Sequence, residues 1–346
     1  MGGVSGGGQD RSAVTRAPAT FALHSTKGLE ATIGAFGATL LRLRAPDRRG
    51  RLGDVVLGFD DPREYLGPHP YLGGIVGRFA NRIAEARFVL DGVAFALAPN
   101  DGPHCLHGGP TGFDRAFWDG DAVGAGAVEL RLVSPDGDQG FPGKLSVRAI
   151  YRLDGDALRL ELRATSDAPT VVSLASHAYW NLDDGGATPI LAHRLEIAAG
   201  HYAPVTASGI PTGSLGTVAG TPFDFRLPRA IGERRALLGD ARGGYDHTFA
   251  LDAPGDVTRR AARLVSPRSG RVLTVRTTLP SLQLYDGSCF DGGRAFRGGV
   301  RTPRNGAVAL EAQHFPNAPN EPRFPSARLD PGNTYEHTTV YELGLA

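Results

Sequence analysis

Arg87-Phe-Val-Leu-Asp-Gly-Val-Ala-Phe-Ala-Leu97 carries the signal that decides the fold. Apolar residues alternate on both sides of Asp91-Gly92, and an Asp-Gly pair between two such runs marks a two-residue type I′ hairpin. Residues 145–165 repeat the device around Asp154-Gly155, and residues 263–277 around Ser269-Gly270. Successive hairpins build antiparallel sheets. The 48 Gly and 25 Pro among 346 residues leave little room for long helices. Pro228 to Leu238 predicts one short helix, and Asp61 to Leu66 a single turn. Residues 1–16 (MGGVSGGGQDRSAVTR) read as a flexible Gly-rich leader, and no repeat or linker follows. The expectation is an all-β chain, a large antiparallel β-sandwich with few short helices, folded as a single domain over 17–346.

Charge narrows the partners. Lys+Arg 37 against Asp+Glu 36 gives a net charge of +1, with no footprint for nucleic acid or an anionic membrane. No apolar run reaches the roughly 18 residues of a membrane span. A neutral small molecule is the expected partner. Two cysteines are too few for a disulfide scaffold, so Cys105 and Cys289 are expected to be reduced, buried thiols in a cytoplasmic protein.

Five segments between strands carry chemistry. Gly77-Arg-Phe-Ala-Asn-Arg-Ile83 offers Asn81 and Arg82, whose guanidinium could hold sugar or carboxylate oxygens; a strand-edge arginine in a solvated ion pair would read the same. Leu106-His107-Gly-Gly109, with Gly112-Phe-Asp114 and Trp118, sets a histidine among glycines that let a ligand approach. His104 and His107 lack a metal-ligand spacing and no cysteine or carboxylate cluster accompanies them, so no metal is expected. His177 follows an apolar strand and precedes Tyr179-Trp180-Asn181, suiting either proton transfer or a satisfied core histidine. Asp246, in Tyr245-Asp-His-Thr-Phe249, could accept from hydroxyls or close an Asx turn. Leu282-Gln283-Leu-Tyr285 is followed by Val308-Ala-Leu-Glu311-Ala-Gln-His-Phe-Pro316, where a carboxylate interrupts an apolar strand. Inward, it would gain a raised pKa and become a credible general base; outward, it would be trivial.

In their order, these five segments, the last contributing both a Gln-x-Tyr and a Leu-Glu-x-Gln-x-x-Pro motif, resemble the aldose 1-epimerase (galactose mutarotase) family from about residue 20 to the C-terminus. The resemblance implies the family's large antiparallel sandwich with the sugar in an open cleft on one face. It implies Glu311 as general base and His177 as general acid, with Asn81, Arg82, His107, Asp246 and Gln283 contacting the sugar. The implied reaction interconverts α and β anomers of free aldohexoses such as glucose and galactose, with no cofactor, in a monomer or homodimer. Gly108, Gly109 and Gly112 are expected to clear space for the sugar beside His107. Four positions depart from the usual pattern: Ser176 for Asn, Trp180 for Phe, Ser288 near a common Asn, and Asn317 for Asp. Three other readings compete. A hexose-6-phosphate mutarotase of the same fold would need basic residues at the cleft, for which Arg301 and Arg304 are available. A non-catalytic sugar-binding protein would not need His177 and Glu311 together. A glycoside hydrolase using Glu311 and Asp246 would leave the histidines unexplained.

Overall fold

The computed structural model describes residues 17–239 and 243–346, so the proposed leader lies outside the described residues. A nine-stranded sheet runs, in spatial order, Asp119–Ala122, Ala127–Ser134, Leu145–Asp154, Ala157–Ser166, Tyr335–Leu345, Arg271–Thr277, Arg260–Val265, Arg194–Ile197 and Arg229–Ala230. A six-stranded sheet runs Tyr179–Trp180, Val308–Gln313, Ser281–Tyr285, Asp246–Ala250, His201–Ala203 and Gly216–Thr217. A four-stranded sheet holds Thr20–His24, Glu30–Gly34, Thr39–Pro46 and Leu52–Asp54. Neighbours within these sheets are antiparallel, as the hairpin signals predict.

The sandwich follows from which side chains meet. Val147, Ala149 and Leu160 of the large sheet, Leu282, Leu284, Val308 and Leu310 of the six-stranded sheet, and Ile33 and Leu43 of the third all join one buried cluster. Each such Leu, Ile or Val contributes roughly 1.5–3 kcal/mol by leaving water. Leu145–Asp154 alternates buried with exposed or half-buried residues, as a strand with one wet face must, whereas Val308–Gln313 is buried throughout. Its even-numbered side chains fill the core. Successive strand residues point to opposite faces, so Glu311 and Gln313 turn away from that core. This second, covered face carries the chemistry.

Strands Arg87–Leu90 and Val93–Ala96 flank Asp91-Gly92, both at positive φ (51° and 78°), the geometry a type I′ turn requires. In the second hairpin Asp154 pairs with Ala157, so the turn residues are Gly155-Asp156 rather than Asp154-Gly155. Asp61 caps a 3₁₀ turn over Pro62–Leu66 by accepting the Arg63 amide. The helix expected over Pro228 to Leu238 does not form. Arg229–Ala230 pairs with Arg194–Leu195 at the sheet edge and only Arg235–Leu237 makes a 3₁₀ turn, because edge pairing satisfies the backbone that a helix would otherwise bond internally.

Candidate active site

The strand register builds most of the site. Glu311 stands opposite Gln283, and Gln283 opposite Thr248, on three adjacent strands. Tyr285 faces Ala309 on one side and Asp246 on the other, two residues along, so the two rows share one face of the sheet. Tyr179 pairs with Ala309, which brings His177, two residues upstream, beside Glu311. His177 Nε2 lies 3.7 Å from Glu311 Oε2, and both side chains are buried.

The other wall comes from two strained loops locked to each other. His107 donates its backbone N–H to the Asn81 carbonyl at 3.0 Å, while the Asn81 N–H donates to His107 Nδ1 at 3.1 Å. Both residues sit at positive φ, 62° and 53°, a conformation that Asn and His tolerate better than most. Asn81 Oδ1 accepts the Arg82 amide at 2.8 Å. Arg82 donates from Nε to Asp101 at 2.7 Å and holds Nη1 3.8 Å from Asp246, aimed across the cleft.

These walls enclose a cavity of about 220 Å³ lined by Asn81, Arg82, His107, His177, Asp246 and Glu311, together with Tyr71, Tyr179, Tyr285 and Cys289. Drug-sized pockets run roughly 300–1,000 Å³, so this one suits a single small ring. Six of the seven predicted site residues therefore line one cavity. Gln283 stands behind them: its Nε2 donates to Asp246 Oδ1 and its Oε1 accepts the Thr248 hydroxyl, so the amide holds Asp246 in place. Tyr71 and Cys289 carried no functional signal in the sequence, and Tyr285 only its place in the Gln-x-Tyr motif. Cys105 is buried as expected, but Cys289 is exposed, because it stands at the mouth of the cleft; both are free thiols.

The expectation that Gly108, Gly109 and Gly112 clear space for the sugar needs correction. A Cβ on Gly108, at φ +88°, would sit 1.9 Å from the Gly77 carbonyl oxygen, and one on Gly112 would sit 2.5 Å from the His107 carbonyl oxygen. One on Gly109 would meet the Gln139 side chain at 2.8 Å. These glycines clear space for protein neighbours, letting the His107 loop lie against Gly77, not for a ligand.

Burial sets the electrostatics. Desolvation pushes the Glu311 carboxyl well above its usual range, with the Asp246 charge adding to the rise and Arg82 opposing it. Desolvation likewise drives His177 down to about 4, against smaller upward pulls from its own backbone and Asp246. His107 falls well below its ordinary value through burial, His177 and Arg82. A neutral His107 whose Nδ1 accepts from Asn81 must carry its proton on Nε2, so it offers the cleft a hydrogen-bond donor. His107, His177 and Glu311 present ligand atoms within 4.8 Å of one another, a set that could hold a metal by distance alone. The donor set fits poorly: a metal needs that Nε2 bare, which would place a proton on Nδ1 facing the Asn81 N–H.

A β-sandwich presenting a paired carboxylate and imidazole, ringed by hydrogen-bonding side chains in a small cavity, defines an acid–base enzyme for a small polar ring. The family model for aldose 1-epimerase matches residues 19–342. The chain is 42% identical over 318 residues to galactose mutarotase of Sus scrofa, covering 92% of each, and 40% identical over 326 residues to aldose 1-epimerase of Escherichia coli strain K12, covering 93% and 94%. An aldose epimerase homologue from C. elegans superposes with a TM-score of 0.90 at 32% identity, covering 95% of this chain and 100% of that one. The chain belongs to the aldose 1-epimerase family, and it is a mutarotase, an enzyme of the isomerase class.

Proposed function

We propose that the chain interconverts the α and β anomers of free aldohexoses such as glucose or galactose, with Glu311 and His177 as the proton-transfer pair. The observation that carries this reading is the buried 3.7 Å approach of His177 Nε2 to Glu311 Oε2 at the base of the cavity. In ring opening, the Glu311 carboxylate takes the proton of the anomeric hydroxyl and the C1–O5 bond breaks. Its electron pair stays on O5, which takes the proton from His177 Nε2, leaving the free aldehyde. Rotation about C1–C2 presents the other carbonyl face. In closure the aldehyde oxygen takes the proton back from Glu311, and His177 takes that of the O5 hydroxyl as O5 adds to C1.

The pair carries one proton throughout. Carboxylate with imidazolium starts opening; carboxylic acid with neutral imidazole starts closure, and each half-reaction produces the form that the reverse step needs. The pair is neutral overall in both, so no net charge develops in the buried cleft. Burial favours the uncharged form in the empty site, and sugar hydroxyls together with Arg82 favour the ionic one. Arg82, His107 Nε2–H and Asp246 hold the ring hydroxyls, Asn81 fixes the His107 and Arg82 loops, and Gln283 holds Asp246.

The hexose-6-phosphate alternative gains little from Arg301 and Arg304, the arginines available to it, or from the nearby Arg294. Arg301 donates to the Gly293 carbonyl at 2.6 Å, Arg304 to the Gly243 carbonyl at 3.3 Å, and Arg294 to that of Pro68, so each is engaged by backbone. Polarimetry of freshly dissolved α-D-glucose and α-D-galactose tests the reading: equilibration accelerates with the protein and not with buffer, and the 6-phosphates respond weakly. A rate equal to buffer on both free sugars refutes it, and a preference for the phosphates moves the chain to the alternative.

A further inference from the structure

Among the described residues, no hydrogen bond from another side chain orients the catalytic imidazole. His177 Nδ1 is buried without a partner, and Nε2 reaches Glu311 only at 3.7 Å. A proton donor must still be held within about half an ångström of its working position, by packing where hydrogen bonds are absent. The packing is aromatic. The Tyr71 ring stacks on His177 with centroids 5.7 Å apart and planes at 29°, and meets His107 at 4.4 Å with planes tilted by 57°. His107 meets His177 edge-on at 5.2 Å, and Tyr179 closes the remaining side at 4.9 Å.

Tyr71 is placed there by a tightly bonded loop. Its φ of 55° turns the side chain out of the path of the chain. The Tyr71 carbonyl accepts the Gly74 amide at 3.2 Å, the Gly73 amide donates to the His177 carbonyl at 3.0 Å, and the His177 amide donates back to the Gly74 carbonyl at 2.9 Å. His69 anchors the near end, with Nδ1 accepting the Leu72 amide at 3.0 Å and Nε2 donating to the Tyr65 carbonyl at 2.9 Å. The loop that carries the ring and the segment between Ala175–Ser176 and Tyr179–Trp180 that carries the catalytic histidine are thus one bonded unit.

We infer that Tyr71 is a positioning residue: its ring clamps the His177 and His107 imidazoles against Tyr179, doing the work that a hydrogen bond to Nδ1 does in other acid–base sites. The inference rests on the acid–base reading above. The clamp also keeps water from the imidazole. The groups that face or electrostatically reach His177 are Glu311, Asp246, His69, His107, Tyr71 and Tyr179; all but His69 line the cavity, and Tyr71 is the one whose ring stacks on the imidazole, so its removal bares that face.

The experiment measures kcat, KM and the pH profile of sugar mutarotation for Tyr71→Phe, Tyr71→Ala and Tyr71→Leu. Phe keeps the ring and is expected to retain kcat within about 3-fold. Ala lets His177 swing and is expected to lose about 10- to 100-fold in kcat, the scale of an ångström misplacement, with KM within about 3-fold. Its acid limb moves upward, from about 4 toward the 6.5 of a solvated imidazole, a change that general loosening of the fold would not make. Tyr71→Leu fills the volume without the ring, and shows the same kcat loss even if the alanine variant melts. Wild-type kcat in Ala and Leu, a loss confined to KM, or an unmoved acid limb overturns the clamp. If Glu311→Gln is inactive while Tyr71→Ala is not, the clamp alone falls; if the wild-type protein is inactive, the acid–base reading falls and takes the clamp with it.

Discussion

Replacing Gln283 with leucine separates holding the sugar from reacting with it. The amide donates to Asp246 Oδ1 and accepts from Thr248, and it does not line the cavity. Leucine deletes a hydrogen bond to a carboxylate, a loss of about 1.5–3 kcal/mol, and strips the buried Thr248 hydroxyl of its acceptor, about 1–3 kcal/mol more. The two losses fall on different observables. The first loosens the group proposed to hold the sugar, and at about 1.4 kcal/mol per tenfold it raises KM by roughly 10- to 150-fold. The second appears in the melting temperature, which falls by several degrees. Because Glu311 and His177 are untouched, kcat stays within about 3-fold. Initial rates of rotation change across a range of α-D-galactose concentrations, with a circular-dichroism melt alongside, give all three quantities. A tenfold fall in kcat at unchanged KM refutes the reasoning, because the amide would then act on the reacting atoms; unchanged kinetics would mean that Asp246 needs no support.

Further outcomes follow from the same geometry. With His177 driven down to about 4 and Glu311 raised, the pair gains a second proton only below about pH 4 and loses its last well above the usual carboxylate range. The kcat/KM profile therefore has its acid limb near pH 4 and its alkaline limb well above the usual carboxylate range, and an acid limb near 6.5 would contradict the burial argument. Gly108→Ala forces a Cβ to within 1.9 Å of the Gly77 oxygen at a positive φ, an overpacking cost of about 1–3 kcal/mol. It should lower both the melting temperature and kcat by displacing His107, and a variant with wild-type melting would remove the contact from the account. Since His107 Nε2 carries a proton, exhaustive dialysis against EDTA leaves the rate unchanged; a loss restored by a divalent metal would show that the histidines bind one.

The sheet was legible because its signals are local. Asp91-Gly92 between alternating runs dictates a turn and a register, and the interruption of Val308–Gln313 by Glu311 marks a strand buried on both faces that keeps a charge-bearing group. The motif order brought Asn81, Arg82, His107, His177 and Asp246 to the same cleft before any distance was known. What stayed hidden depends on contacts distant in sequence. Tyr71 reads as part of a Pro- and Gly-rich turn, and only the hydrogen bonds of that turn to His177, about a hundred residues away, bring its ring to the imidazole. Gly108 suggested room for a ligand, whereas its neighbour is the backbone of Gly77. Pro228 to Leu238 has a helical composition, yet Arg229–Ala230 pairs with a strand that composition cannot announce. Asn317 departs from the usual Asp, but its Oδ1 accepts the Ala84 amide at 3.0 Å, a role that either residue fills.

The central claim is that one proton moves between Glu311, the sugar and His177. The most direct test is the polarimetric rate of α-D-galactose equilibration for Glu311→Gln, a substitution of nearly equal shape that cannot take up the anomeric proton. With melting unchanged, kcat should fall by about 10²–10⁴-fold, the usual worth of a positioned acid or base. A folded Glu311→Gln protein that equilibrates the sugar at the wild-type rate would contradict the account.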